Sequence, residues 1–80
     1  MKDELYFTQR ATENEHFVLE EEIAEFCSEN PDVELVYYRK FKTGHIPEYR
    51  EIKIKGNIGK FLKFAEEKDI TIQNYWQQAI

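Results

Sequence analysis

Several things are scarce in this chain, and each scarcity excludes something. Its one cysteine, Cys27, cannot close an internal disulfide, and its two histidines lie far apart, so neither a covalent staple nor a histidine-based metal site is expected. That composition favours a reducing, cytoplasmic setting and implies no cofactor. Three glycines and two prolines leave no linker, repeat or low-complexity run. No window approaches the roughly 20 apolar residues of a membrane span, and the first residues, Met-Lys-Asp-Glu-Leu-Tyr-Phe, lack the apolar run of a signal peptide. Catalytic signals are missing too. His16 and His45 have no neighbouring nucleophile, Cys27 falls on an apolar stripe, and Gly56-Asn-Ile-Gly59 is too short for a phosphate loop. The chain therefore reads as a protein without enzymatic activity.

What is present fits one ordered domain over residues 1–80. Apolar residues make up 41% of the chain, aromatics included, which is enough for a packed core. A chain this small buries only about 60% of its unfolded surface. The thin core makes a homodimer an expectation.

The net charge of −5 conceals a strong asymmetry. Residues 1–34 carry eleven acids against Lys2 and Arg10, leaving −9; residues 35–64 carry eight bases against Glu48 and Glu51, leaving +6. The last sixteen residues add −2.

Residues 33–55 form the centre of the reading. Two β-rich runs with apolar residues at alternate positions, joined across Gly44 and Pro47, predict an antiparallel hairpin. On the first run, alternation places Val33, Leu35, Tyr37, Arg39 and Phe41 on one face, with Val36 and Tyr38 on the other. On the second, Ile52 and Ile54 oppose Tyr49, Glu51, Lys53 and Lys55. Residues 5–8 predict a short strand that could add to the hairpin as an edge.

A helix is expected over residues 13–29, started by a capping box of Thr12 and Glu15, with Leu19, Ile23, Phe26 and Cys27 as its apolar stripe. Phe17 and Val18 leave an extended lead-in open as an alternative. Pro31 ends the helix near Asn30. Asn57 reads as the N-cap of a second helix with Ile58, Phe61, Leu62 and Ala65 as its stripe and Phe64 at its flank. Helical spacing of Ile72, Tyr75, Trp76, Ala79 and Ile80 suggests a third helix, though residues 70–72 alone could be a strand. The expected fold is α+β: a small antiparallel sheet, made of the hairpin and the N-terminal strand, with two or three helices on one face.

Two surfaces could carry function. Glu13, Glu15, Glu20, Glu21, Glu22, Glu25, Glu29, Asp32 and Glu34 place nine carboxylates in twenty-two residues. Like charges at i and i+4 cost a few tenths of a kcal/mol per pair, so such a density calls for a partner or a neighbouring basic surface. The leading expectation is an inhibitor or regulator whose carboxylates imitate phosphates and occupy the basic surface of a nucleic-acid-binding protein. In size and charge the chain resembles small acidic inhibitors encoded by phages, a likeness of composition that rests on no motif.

The alternative is a nucleic-acid-binding module that uses Tyr38, Lys40, Lys42, Tyr49, Lys53 and Lys55, where rings alternate with cations. An acidic total speaks against it, because non-specific affinity comes from neutralising phosphates. Residues 64–76 loosely resemble a helix-turn-helix unit with Gln73, Asn74, Gln77 and Gln78 as base-reading amides, but the would-be reading helix carries no Lys or Arg. Tyr75, Trp76 and Ile80 are expected to pack on the domain or on a second copy of it.

Overall fold

The structure, a computed structural model, describes residues 3–10, 17–44, 46–70 and 72–79. The chain runs β1 (Asp3–Arg10), α1 (Glu20–Glu29), β2 (Val33–Thr43), β3 (Ile46–Gly56), α2 (Ile58–Glu67) and β4 (Gln73–Ala79). The strands form one sheet in the order β2-β3-β1-β4, with every neighbouring pair antiparallel. This is the split β-α-β (ferredoxin-like) arrangement. The α+β class and the two helices agree with the sequence reading.

Alternation decides which face of the sheet is covered. Leu5, Phe7 and Gln9 of β1, Ile52 and Ile54 of β3 and Val33 of β2 are buried, together with Ile23 of α1 and Ile58, Phe61 and Ala65 of α2. Val18 and Ile70, in the connections, complete the core. Phe7 and Phe61 meet at 5.9 Å between ring centroids, and Phe26 stands edge-on to Phe61 at 6.1 Å. Both helices therefore lie on one face, and the other face of the sheet carries no described element.

Four expectations need correction. The N-terminal strand is not an edge: β1 lies between β3 and β4. The C-terminal stretch is a strand and not a third helix, because β1 offers it a row of backbone partners from Asp3↔Ala79 to Thr8↔Gln73. That result also removes the helix-turn-helix resemblance. On β2 the register shifts between Leu35 and Tyr37, so Val36 is an extra residue and the faces beyond it are exchanged. Tyr38 consequently shares the core side with Leu35, against the simple alternation, while Tyr37, Arg39 and Phe41 remain together on the open face.

The fourth correction concerns the first helix, which starts at Glu20 instead of residue 13. Leu19, expected in the stripe, is its N-cap and 46% exposed. The capping box with Thr12 and Glu15 lies outside the described residues. Leu62, placed in the second stripe, is 37% exposed, while the rest of that stripe is buried.

The extended lead-in is clamped from three sides. The Val18 N–H donates to Gln9 Oε1 at 3.0 Å, and the Tyr38 hydroxyl donates to the Val18 carbonyl. Arg50 in turn donates to the Tyr38 hydroxyl oxygen at 2.9 Å and lies over the Phe17 ring at 4.0 Å. Alternation from Ile52 puts Arg50 on the core face, where its side chain is only 11% exposed and ion-paired to Glu48 at 3.2 Å.

Candidate functional site

The acidic residues of α1 divide by position along the helix. Ile23, Phe26 and Cys27 face the core or pack against it, which turns Glu20, Glu21, Glu25 and Glu29 outwards to exposed positions and leaves Glu22 half-buried at the flank. Glu20, Glu21 and Glu22 occupy the first turn, where carboxylates oppose the positive end of the helix dipole and stand in for the missing side-chain cap. Glu29, by contrast, sits at the negative end with no basic residue in the last turn. Among the described residues none of these five glutamates forms an ion pair. Glu13 and Glu15 lie outside the described residues.

Asp32 has a different situation. Lys60 Nζ pairs with its carboxylate at 2.9 Å, and Asn57 Nδ2 donates to it at 3.1 Å. These two hydrogen bonds, that from Lys60 foremost, hold its pKa below the usual range despite full exposure. Asp32 ties the start of β2 to the start of α2, where Asn57 accepts from the Lys60 N–H at 3.2 Å as the N-cap.

Between the helices lies an open groove of about 480 Å³. Glu22, Glu25 and Glu29 of α1 form one wall, and Lys60, Lys63 and Lys68 stand on the α2 side with Glu67. Phe26 and Phe64 lie between them, stacked at 4.4 Å between centroids and 27° between planes. Both rings are half-buried, so part of this pair faces the groove. No ion pair closes the two walls among the described residues. The sequence reading missed this groove, although Phe64, an aromatic lying off its helix's stripe, was the available signal.

The open face of the sheet holds a second set of side chains. Register places Tyr49, Glu51, Lys53 and Lys55 of β3 there, beside Glu4, Tyr6, Thr8 and Arg10 of β1 and Tyr37, Arg39 and Phe41 of β2. Phe41 stacks on Tyr49 at 5.0 Å, and the Arg39 guanidinium covers the Tyr37 ring at 4.1 Å. Lys53 pairs with Glu4 at 3.2 Å, so cations and anions alternate on this face. The Tyr6 hydroxyl donates to Glu51 at 2.5 Å; burial first, and then this bond, push its pKa up to about 12.

Of the residues expected to bind nucleic acid, Tyr49, Lys53 and Lys55 share this face. Tyr38 is turned to the core side by the extra residue at Val36, Lys40 lies opposite Arg50 in the register on that same side but is exposed, and Lys42 is exposed near the turn. The backbone of Tyr75 and Trp76 lies in β4, but the packing of their side chains, like Ile80 altogether, lies outside the described residues.

Cys27 is a half-buried thiol whose pKa burial raises, which disfavours the reactive thiolate. Among the described residues there is no cluster of metal-ligating side chains and no helix long and apolar enough to cross a membrane. No protein-family model matches the chain, and no curated protein matches it in sequence.

Proposed function

We propose that the protein acts without catalysis, laying the acidic face of α1 on a basic partner protein at a surface that otherwise holds nucleic-acid phosphates. The supporting observation is that Glu20, Glu21, Glu25 and Glu29 are exposed and in no ion pair among the described residues, while the sheet separates them from Arg39, Lys53 and Lys55. Ten residues of helix rise about 15 Å, the axial length over which one DNA strand carries about four phosphates. The footprint is small, and screening by salt weakens an attraction of this kind. A cytoplasmic location belongs to the same reading, supported by a chain whose single cysteine is unpaired.

The test is capture by the immobilised protein across a salt series. Captured proteins should be basic, elute as salt rises and lose their nucleic-acid binding in competition. Glu21→Lys, Glu22→Lys and Glu25→Lys together should abolish capture. Undiminished capture by that triple variant would refute the reading.

A second reading has an observation of its own. The helix-free face presents the Phe41–Tyr49 stack beside Arg39, Lys53 and Lys55, and sheets with exposed rings can stack unpaired bases. It requires direct binding of single-stranded oligonucleotide, lost in Lys53→Glu with Lys55→Glu. The proposal also retains a homodimer, now through β4, an outer strand whose sequence Gln-Asn-Tyr-Trp-Gln-Gln-Ala carries no charge to repel a second copy. Sedimentation that returns only monomer at high concentration removes this part.

A further inference from the structure

We infer that the groove between α1 and α2 is the seat of a partner helix, one that carries apolar anchors along its centre, basic residues on one flank and acidic residues on the other. The inference rests on the reading of α1 as the partner-facing element and specifies what that partner presents. A purely electrostatic contact would need only the outward glutamates. Here the acidic row continues into a groove whose centre is apolar and whose far wall is net basic: Lys63 and Lys68 stand there with Glu67, and Lys60 at its end is already paired with Asp32. Glu22, Glu25 and Glu29 face Lys60, Lys63 and Lys68 across the stacked rings of Phe26 and Phe64.

Three features select the occupant. First, the two walls match a ligand whose two sides differ in charge; a uniformly basic segment would meet the lysines of α2 at close range. Second, the half-buried rings provide an apolar strip that an inserted leucine or phenylalanine can cover, which removes apolar surface of both partners from water. Third, both walls are helices, so the groove offers no strand edge to pair with an extended chain. A segment bound there must satisfy its own backbone, which a helix does. The ten-residue wall of α1, about 15 Å long, accommodates about three turns of partner helix.

The charge of the walls also fixes orientation. Reversing which flank is basic places Lys against Lys and Glu against Glu, so polarity is specified by repulsion as well as by attraction.

The experiment uses three synthetic peptides of about 15 residues, the length at which isolated helices become stable enough to study. One has central leucines with lysines on the α1-facing flank and glutamates on the other. The second has the same composition with lysines and glutamates mixed on both flanks, so that neither direction matches the walls, and the third has lysines only and no leucines. Binding to the full chain is followed by NMR shifts and by titration at two salt concentrations. The first peptide should bind at least tenfold more tightly than the second, shift the Phe26 and Phe64 signals, and retain part of its affinity at high salt.

Lys63→Glu, an exposed change that leaves the core intact, should erase the preference between the first two peptides. Phe64→Ala should weaken the first at least tenfold while leaving the third unchanged. Equal binding of the first two peptides to the natural chain, or no change with Lys63→Glu, overturns the groove. Binding of the lysine peptide alone would preserve the acidic-face reading while removing this one. No binding by any peptide removes both. An aromatic zwitterion such as free phenylalanine that shifts the same signals and displaces the first peptide would reassign the groove to a small molecule and overturn the inference.

Discussion

Gly56 has φ +110°, and a Cβ placed there would lie 2.2 Å from the Asp32 carbonyl oxygen, an atom of backbone that cannot swing aside. The close approach exists because Asn57 N–H donates to that same oxygen at 2.9 Å, joining the end of β3 to the loop before β2. Gly56→Ala should therefore destabilise by more than about 1 kcal/mol, lowering the melting temperature by about 5 °C or more. Gly59, in the first turn of α2, has only a 3.7 Å contact at the same test position. Gly59→Ala should leave stability unchanged or raise it by about 0.5 kcal/mol. Equal losses at the two sites would contradict the geometry.

Tyr6 provides a pH-dependent counterpart. With its folded pKa raised from the ordinary 10.0 to about 12, the folded state holds the phenol proton after the unfolded chain has lost it. Below pH 10 both states are protonated and the stabilisation is fully present; between 10 and 12 the unfolded state binds fewer protons, so stability falls as pH rises. Ultraviolet titration should show a late tyrosine phase that Tyr6→Phe removes, leaving a smaller one from Tyr38, whose pKa burial also raises. A Tyr6→Phe protein with the same alkaline loss of stability would show that another group is responsible.

At the scale of elements, the extra residue in β2 decides what the hairpin presents. Leu35 pairs with Ile54 and Tyr37 with Lys53, so Val36, 43% exposed, has no opposite number. Deleting Val36 restores regular pairing from Val33 to Phe41 and keeps Tyr38 opposite Ile52, under the Val18 carbonyl. The deletion should therefore cost no more than about 1 kcal/mol and leave the circular dichroism spectrum unchanged. Were the strand regular in solution, the same deletion would turn Tyr38 and everything after it to the wrong face, and the protein would unfold.

The sequence pattern revealed the hairpin, the second helix and the core positions Ile23, Ile52, Ile54, Ile58, Phe61 and Ala65, because period and burial agree there. It could not reveal the shift at Val36, since an inserted residue leaves composition and β-propensity untouched. Nor could it separate strand from helix after Ile72: Tyr75, Trp76 and Ala79 satisfy helical spacing, and only the backbone row offered by β1 selects the strand. The groove escaped notice for a related reason. Phe26 and Phe64 are 38 positions apart and neither marks a motif; their stacking follows from how the two helices lie side by side.

For the molecule as a whole, charge placement can be set against the stability it would otherwise gain. Glu25 faces Glu21 and Glu29 at i±4 and Glu22 at i−3, and Glu29 adds a negative charge at the negative end of the helix. Each term costs a few tenths of a kcal/mol, and none is recovered by an ion pair among the described residues. Glu25→Gln with Glu29→Gln keeps size and polarity while removing all of them. The pair should stabilise the fold by about 0.5–1 kcal/mol, raising the melting temperature by about 2–6 °C. The same pair should weaken capture of a basic partner, since it removes two of the four exposed charges that face outward from α1. Opposite signs in one variant, firmer folding with poorer binding, are what a surface retained for recognition produces. A drop in melting temperature would mean that these carboxylates are already engaged within the molecule, leaving no unbalanced charge for an external basic target to meet.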